Sequence, residues 1–164
     1  MGEVDENIAV EFERHFPSIA AELGPENLAR LLKACHVVDL PEGRQLFRDR
    51  MQIESLYLVL DGDMVVTVEG ASKTSKAQSV TLGHVKPGDW LGEVAVLSGE
   101  MRASASVTTV SRCRVLKMHC QDFERLVLHD EDISNVLLGN LVDLLASRLR
   151  RTLAQTKSAA AALN

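Results

Sequence analysis

The sequence predicts a mainly β fold with flanking α: a barrel or jelly roll set between N-terminal helices and one long C-terminal helix. Three observations carry this. Short β-rich runs recur between Pro, Gly and Asp turns at roughly 8–12-residue spacing from Cys35 to Cys120. On either side of that block the apolar residues fall at helical spacing instead. The chain has 164 residues, 46% hydrophobic and 25% charged, which suits one domain with a core of its own. The expected division is a helical segment over 1–34, a β-roll over 35–120 and C-terminal helices over 121–164.

Taken in order, Ile8–His15 places Ile8, Phe12 and Phe16 on one helical face, and Pro17 stops it. Pro25-Glu26-Asn27 opens a second helix that buries Leu28, Leu31 and Leu32. At Cys35 the period changes to that of a strand. His36–Leu40 runs into the turn Pro41-Glu42-Gly43, and Gln45–Phe47 follows. Ser55–Leu60 and Met64–Val68 flank Asp61-Gly62, a strong hairpin signal because glycine accepts positive φ. Glu69–Ala77 is polar and rich in Gly, Ser and Lys, hence a loop before the strand Ser79–Val85. After the turn Lys86–Asp89, two further strands fall around Ala105–Val110 and Cys113–Met118. Asp122–Leu128 forms a short helix, and Asp130/Asp132 opens a long one running to about Ala160. Its broad apolar face carries Ile133, Val136, Leu137, Leu141, Leu144, Leu145, Leu149 and Leu153. Arg148, Arg150, Arg151 and Lys157 are read as the solvated, dipole-matched end of that helix.

Composition excludes several classes of function. A net charge of −5 gives no global attraction to nucleic acid or to an acidic membrane surface. No apolar run approaches the roughly 20 residues of a membrane span, and Met1–Asn7 is acidic, unlike a signal peptide. Three cysteines, Cys35, Cys113 and Cys120, are an odd number and read as reduced thiols of a cytoplasmic protein. His119-Cys120 has no second pair at ligand spacing, so no metal is expected. A metal-dependent jelly-roll enzyme needs several histidines on neighbouring strands. Here His36, His84 and His119 are scattered, and His15 and His129 lie on helices. No catalytic residues are assigned, and no enzyme is expected.

Residues 88–107 carry the chemistry. One carboxylate, Glu93, and one guanidinium, Arg102, stand on either side of a short segment rich in small residues. A carboxylate accepts from hydroxyls and repels phosphate, whereas a guanidinium offers phosphate a planar fork. Gly92 permits close backbone approach, and a short helix starting near Glu93 turns free N–H groups toward an anion. The pattern is a phosphate clamp with a hydroxyl reader. Trp90, the only tryptophan, is read as packing in the barrel, and Glu100 as a solvated turn residue.

Leu40-Pro41-Glu42-Gly43, Leu56–Gly62, Pro87-Gly88-Asp89 and the clamp Gly92–Arg102, in this order, resemble the cyclic nucleotide-binding domain. That module occurs in bacterial catabolite activators, cyclic-nucleotide-dependent kinases and gated channels. The resemblance covers about Leu28 to Arg151 and rests most firmly on the arginine nine residues after the glutamate. It implies a double-stranded β-helix (jelly-roll) barrel holding a phosphate-binding cassette over 88–107. Glu93 then accepts from the ribose 2′-hydroxyl and Arg102 pairs with the cyclic phosphate, while Gly92 and the N–H groups of Val94 and Ala95 line the ribose-phosphate. Arg102-Ala103-Ser104-Ala105-Ser106-Val107 holds one residue more before the valine than such domains usually have. Either the strand starts late or the loop bulges, and Ala103 and Ser104 both stand beside the phosphate position.

The resemblance also implies a lid, the long C-terminal helix or a partner's copy of it, for which Arg148, Leu149, Thr152 and Leu153 are the candidates. The sequence does not select cAMP over cGMP; the family and Ala103 after the arginine, rather than a hydroxyl residue, favour cAMP, with cGMP and a cyclic dinucleotide left open. The expected function is a sensor whose C-terminal helix moves on binding to control a partner protein or effector domain, with a homodimer through that helix as one arrangement. After Arg151 there is no length for a helix-turn-helix, so direct DNA binding is not expected. The chain is either a stand-alone sensor or a piece of a larger protein. The alternative function is a ligand-free interaction or dimerisation module.

Overall fold

The computed structural model describes residues 6–70 and 78–163. Two four-stranded antiparallel sheets form, each built from strands distant in sequence. Sheet A has the order β1 (His36–Leu40), β8 (Cys113–His119), β3 (Ser55–Asp61), β6 (Trp90–Leu91). Sheet B has the order β2 (Gln45–Phe47), β7 (Ser106–Thr109), β4 (Met64–Glu69), β5 (Ser79–Val85). Among the described residues no strand pairing closes the two sheets into one barrel. The loop expected over Glu69–Ala77 lies mostly outside the described residues, with Glu69 ending β4 and Gly70 bonding to the Gln78 carbonyl.

Strand β3 explains the layering. Leu56, Leu58 and Leu60 face the helices, whereas Val59 faces the space between the sheets. Its partner β8 alternates likewise, with Leu116 and Met118 on the helix side and Cys113 and Val115 on the inner side. A strand buried on both faces needs no polar residue between its apolar ones, hence the unbroken run Leu56–Leu60. Two cores result: one between the sheets around Met64, Val107 and Val115, and one between sheet A and the helices around Phe12, Leu31, Ile133 and Leu137.

Helices α1 (Glu6–His15) and α2 (Pro17–Lys33) precede the sheets. Pro17 ends the first helix as expected, but it also begins the second, eight residues before the start predicted at Pro25. Proline is preorganised for a first helical turn, so one residue serves both purposes. Gly24, at φ 74° and ψ 170°, breaks α2, and Pro25 restarts it. After the sheets come α4 (Cys120–His129) and α5 (Glu131–Ala162), with α3 (Glu93–Ser98) lying between β6 and β7. Asp130 caps α5 through its carboxylate, which accepts from the Ile133 N–H at 2.9 Å, and the same side chain pairs with Arg30 of α2. Helix α5 is buried only in its first third, at Ile133, Leu137 and Leu141. Beyond residue 141 it overhangs the sheets.

Helix α5 departs from expectation in one respect. Of the apolar face expected along the helix, Ile133, Leu137 and Leu141 are buried in this chain's core, whereas Leu149 and Leu153 are exposed. The helix ends at Ala162, close to the expected Ala160, but the basic residues expected in its last turns lie further back, and its last turn has none. An alanine-rich continuation, Ala159–Ala162, extends the helix past them.

Candidate functional site

The cavity that concerns function holds about 390 Å³ between sheet B, the α3 segment and the overhanging half of α5. Its floor is β-sheet side chains, Phe47, Val66, Val85 and Val107 among them. Gly92 makes the turn into α3 at φ 86°, and a Cβ there would stand 3.0 Å from the Ser55 carbonyl oxygen. Only glycine meets both conditions. Glu93 follows as the first residue of α3 and is buried, at 3% exposure. Val94 and Ala95, next in the same first turn, carry N–H groups without intrahelical acceptors at that end. The Ala95 side chain is buried, whereas that of Val94 is half exposed.

Arg102 also lines the cavity and is exposed. A short antiparallel pairing holds it: Gln52 bridges Arg102, the Ile53 N–H donates to the Met101 carbonyl, and the Ala103 N–H donates to that of Met51, the last two at 2.8 Å. Its guanidinium Nη1 donates to the Arg50 carbonyl at 3.2 Å. Met101 and Arg50, the residues flanking this pairing, both take positive φ, 55° and 66°. The surplus residue after Arg102 is absorbed before the strand, since β7 starts at Ser106 and Ala103–Ala105 line the cavity as irregular backbone. Ala103 is buried and Ser104 exposed. Ser106 is turned to other use, its hydroxyl accepting the Asp49 N–H at 2.9 Å.

From α5, Arg148 reaches down into the cavity. Its Nη1 pairs with the Glu93 carboxylate, and its Nη2 donates to the Trp90 carbonyl at 3.2 Å. Burial pushes the Glu93 carboxyl above the usual carboxylate range, and the charge of Arg148 opposes the shift without cancelling it. Thr152, one turn further on, also lines the cavity, its hydroxyl donating to the Arg148 carbonyl at 3.0 Å. Leu149 and Leu153, the other two lid candidates, lie on the outer side of α5 at 61% and 51% exposure and do not line the cavity. Arg151 and Gln155 line it instead. Gln155 went unnoticed in the sequence, although it lies seven residues, two helical turns, beyond Arg148 and so shares its face. Leu82 and His84 of β5 complete the rim, with no sequence signal to mark them.

The remaining side chains serve structure. Trp90 is buried at 3% exposure, its side chain in the core against the helices. Among the described residues no group of three His, Cys, Asp or Glu side chains is arranged to hold a metal ion. Among the same residues no helix is long and apolar enough to cross a membrane. The three cysteines are free thiols.

A buried carboxylate and an arginine lining one cavity, beneath a helix and over a β-sheet floor, suit a small anionic ligand. A family model for the cyclic nucleotide-binding domain matches residues 37–130, and the chain belongs to that family. Relatives include a cyclic nucleotide-gated potassium channel of Mesorhizobium japonicum, 28% identical over 131 residues covering 77% of this chain and 34% of the channel. The cAMP-activated global transcriptional regulator CRP of Salmonella typhimurium is 26% identical over 121 residues, covering 74% of this chain and 54% of the regulator. The catabolite activator protein of Thermus thermophilus superposes with a TM-score of 0.67 at 26% identity, over 82% of this chain and 59% of that one. The chain thus spans about a third of the channel and about half of the regulator.

Proposed function

We propose that the domain is a cyclic nucleotide sensor, with cAMP as ligand, that moves its C-terminal helix on binding and so controls a partner protein or an attached effector domain in the cytoplasm. The observation that carries this reading is that one cavity receives Glu93 and Arg102 from the cassette and Arg148 from the helix. Arg102 takes the cyclic phosphate with Gly92 and the N–H groups of Val94 and Ala95, and Ala103 and Ser104 stand beside it. Glu93 takes the ribose 2′-hydroxyl. The two sheets act as the faces of a jelly roll, with α1, α2, α4 and the first part of α5 packed outside it.

Arg148 links ligand to helix. The carboxylate it pairs with is the one a ribose hydroxyl uses, so a bound nucleotide bids for the same oxygen atoms. A nucleotide that redirects Arg148, through stacking on the base or contact with its edge, binds one position of α5 better than the other. That difference in affinity is what shifts a conformational equilibrium. Thr152 and Arg148 are the lid residues in this reading; Leu149 and Leu153 are left for contacts outside the cavity.

The test is isothermal titration of the chain with cAMP, cGMP and a cyclic dinucleotide. Arg102→Ala is expected to weaken cAMP binding by about 2 kcal/mol, because it removes a charge-assisted pair. No binding of any of the three, with Arg102→Ala indistinguishable from the native chain, would sink the sensor reading. One observation favours a second reading: Val142, Leu149 and Leu153 are exposed along α5, a seam for a second copy of the helix. A ligand-free dimerisation module then gives a dimer by sedimentation, and no heat in the titration.

A further inference from the structure

We infer that α5 is not one lever but two, jointed at Gly139-Asn140, so that its overhanging half moves while its first half stays fixed in the core. The switching role of this joint rests on the ligand reading above; the joint itself does not.

Several independent features meet at this point. Gly139 lies in the interior of a 32-residue helix, and a Cβ added there meets nothing within 4 Å. Packing therefore does not require glycine, yet glycine destabilises a helix interior relative to alanine. The next residue, Asn140, turns its side-chain amide back on the helix. Its Nδ2 donates to the Val136 carbonyl at 2.8 Å, the acceptor that its own main-chain N–H uses in a regular helix. Such back-bonding competes with the backbone ladder and bends helices. The same Nδ2 donates to Glu22 of α2 at 3.3 Å, tying the joint to the fixed part of the molecule.

A boundary in packing falls just beyond the joint. Ile133, Leu137 and Leu141 are each at most 1% exposed, and no residue of α5 after Leu141 is buried. There is also space for movement. A cavity of about 170 Å³ lies directly against the joint, bounded by Asn140 and Leu144 of α5, Phe16 and Pro17 at the α1–α2 corner, and Gly88 and Trp90.

The leverage suits the site. Arg148 lies nine residues beyond Gly139, about 13 Å along the axis. A bend of about 15° there carries residue 148 by roughly 3.5 Å, enough to part a hydrogen-bonded pair. Movement at the α4–α5 junction would instead have to break the Asp130 cap, the Arg30 pair and the burial of Ile133 together. Bending at Gly139 leaves all three intact.

Hydrogen–deuterium exchange of the full chain tests this directly. In the free protein, amides over 139–144 are expected to exchange faster than those on both sides, 133–137 and 145–150. Gly139→Ala is expected to slow 139–144 about fivefold, the ratio matching about 1 kcal/mol of helix propensity, and to leave 133–137 unchanged. Exchange that rises steadily from residue 139 toward the C-terminus, as simple fraying gives, overturns the joint, and so does a Gly139→Ala profile identical to the native one. Saturating cAMP is expected to change protection over 139–144 by threefold or more. If cAMP binds by titration yet leaves that segment unchanged, the joint plays no part in switching. If cAMP does not bind at all, the ligand reading fails, and the free-protein profile still decides whether the joint exists.

Discussion

At the scale of single residues, Glu93 concentrates the chemistry of the site. Its carboxyl is buried, paired with Arg148 and held above the usual carboxylate range by desolvation. The consequence for stability has a definite sign. A folded-state pKa above the unfolded one means that folding takes up a proton, so the stabilising contribution is complete below the unfolded pKa and is lost as pH rises through the folded one. Urea melts at a series of pH values should show the native chain losing stability relative to Glu93→Gln as pH climbs out of the ordinary carboxylate range. A difference that moves the other way would contradict the shift. The same variant tests the ribose role, since Glu93→Gln should discriminate less than the native chain between cAMP and its 2′-deoxy form. That Glu93 and Arg102 belong to one site was legible from their spacing around Gly92, and both line the same cavity. The grip of Arg148 on Glu93 was not, because an ion pair 55 positions apart leaves no local pattern.

At the scale of elements, the strands were legible where turn chemistry bounds them. Asp61-Gly62 marks the β3–β4 hairpin, with Gly62 at φ 88°, and β1, β2 and β5 fall on the residues expected. Strand β6, only Trp90-Leu91, was invisible, since two residues cannot display an alternation. The helix Pro17–Leu23 was missed for another reason: proline reads first as a stop, and its use as a first-turn residue depends on what packs behind it. Ile19, Ala20 and Leu23 supply that packing. The start of α5 makes a prediction at this scale. Asp130→Ala should cost about 1 kcal/mol of stability through loss of the cap, whereas Asp130→Asn should lose little of it. Thermal denaturation of both variants separates the cap from the Arg30 ion pair: equal losses would assign the stability to the charge instead.

At the scale of the whole molecule, sheet A is shared by two cores, so neither can open without exposing the other. The thiols report on this arrangement. Cys113 and Cys120 belong to the core between the sheets, and Cys35 packs against the core beneath the helices. Burial raises all three thiols above their ordinary range, Cys35 to about 12. A thiolate is the reactive form, so the folded chain should react slowly with an aromatic disulfide reagent at neutral pH. All three should become reactive together, at the urea concentration where far-ultraviolet ellipticity is lost. Early release of Cys113 and Cys120 before Cys35 would show that the sheets separate independently of the helices.

Trp90 gives the domain one more property. It is the only indole in the chain, its ring lies in the core against the helices, and its carbonyl oxygen holds the guanidinium of Arg148. The main chain of the fluorophore is thus bonded to the helix whose position is in question. Emission excited at the red edge of the indole band should therefore give a label-free optical readout of helix position, shifting in colour or intensity as Arg148 leaves the Trp90 carbonyl.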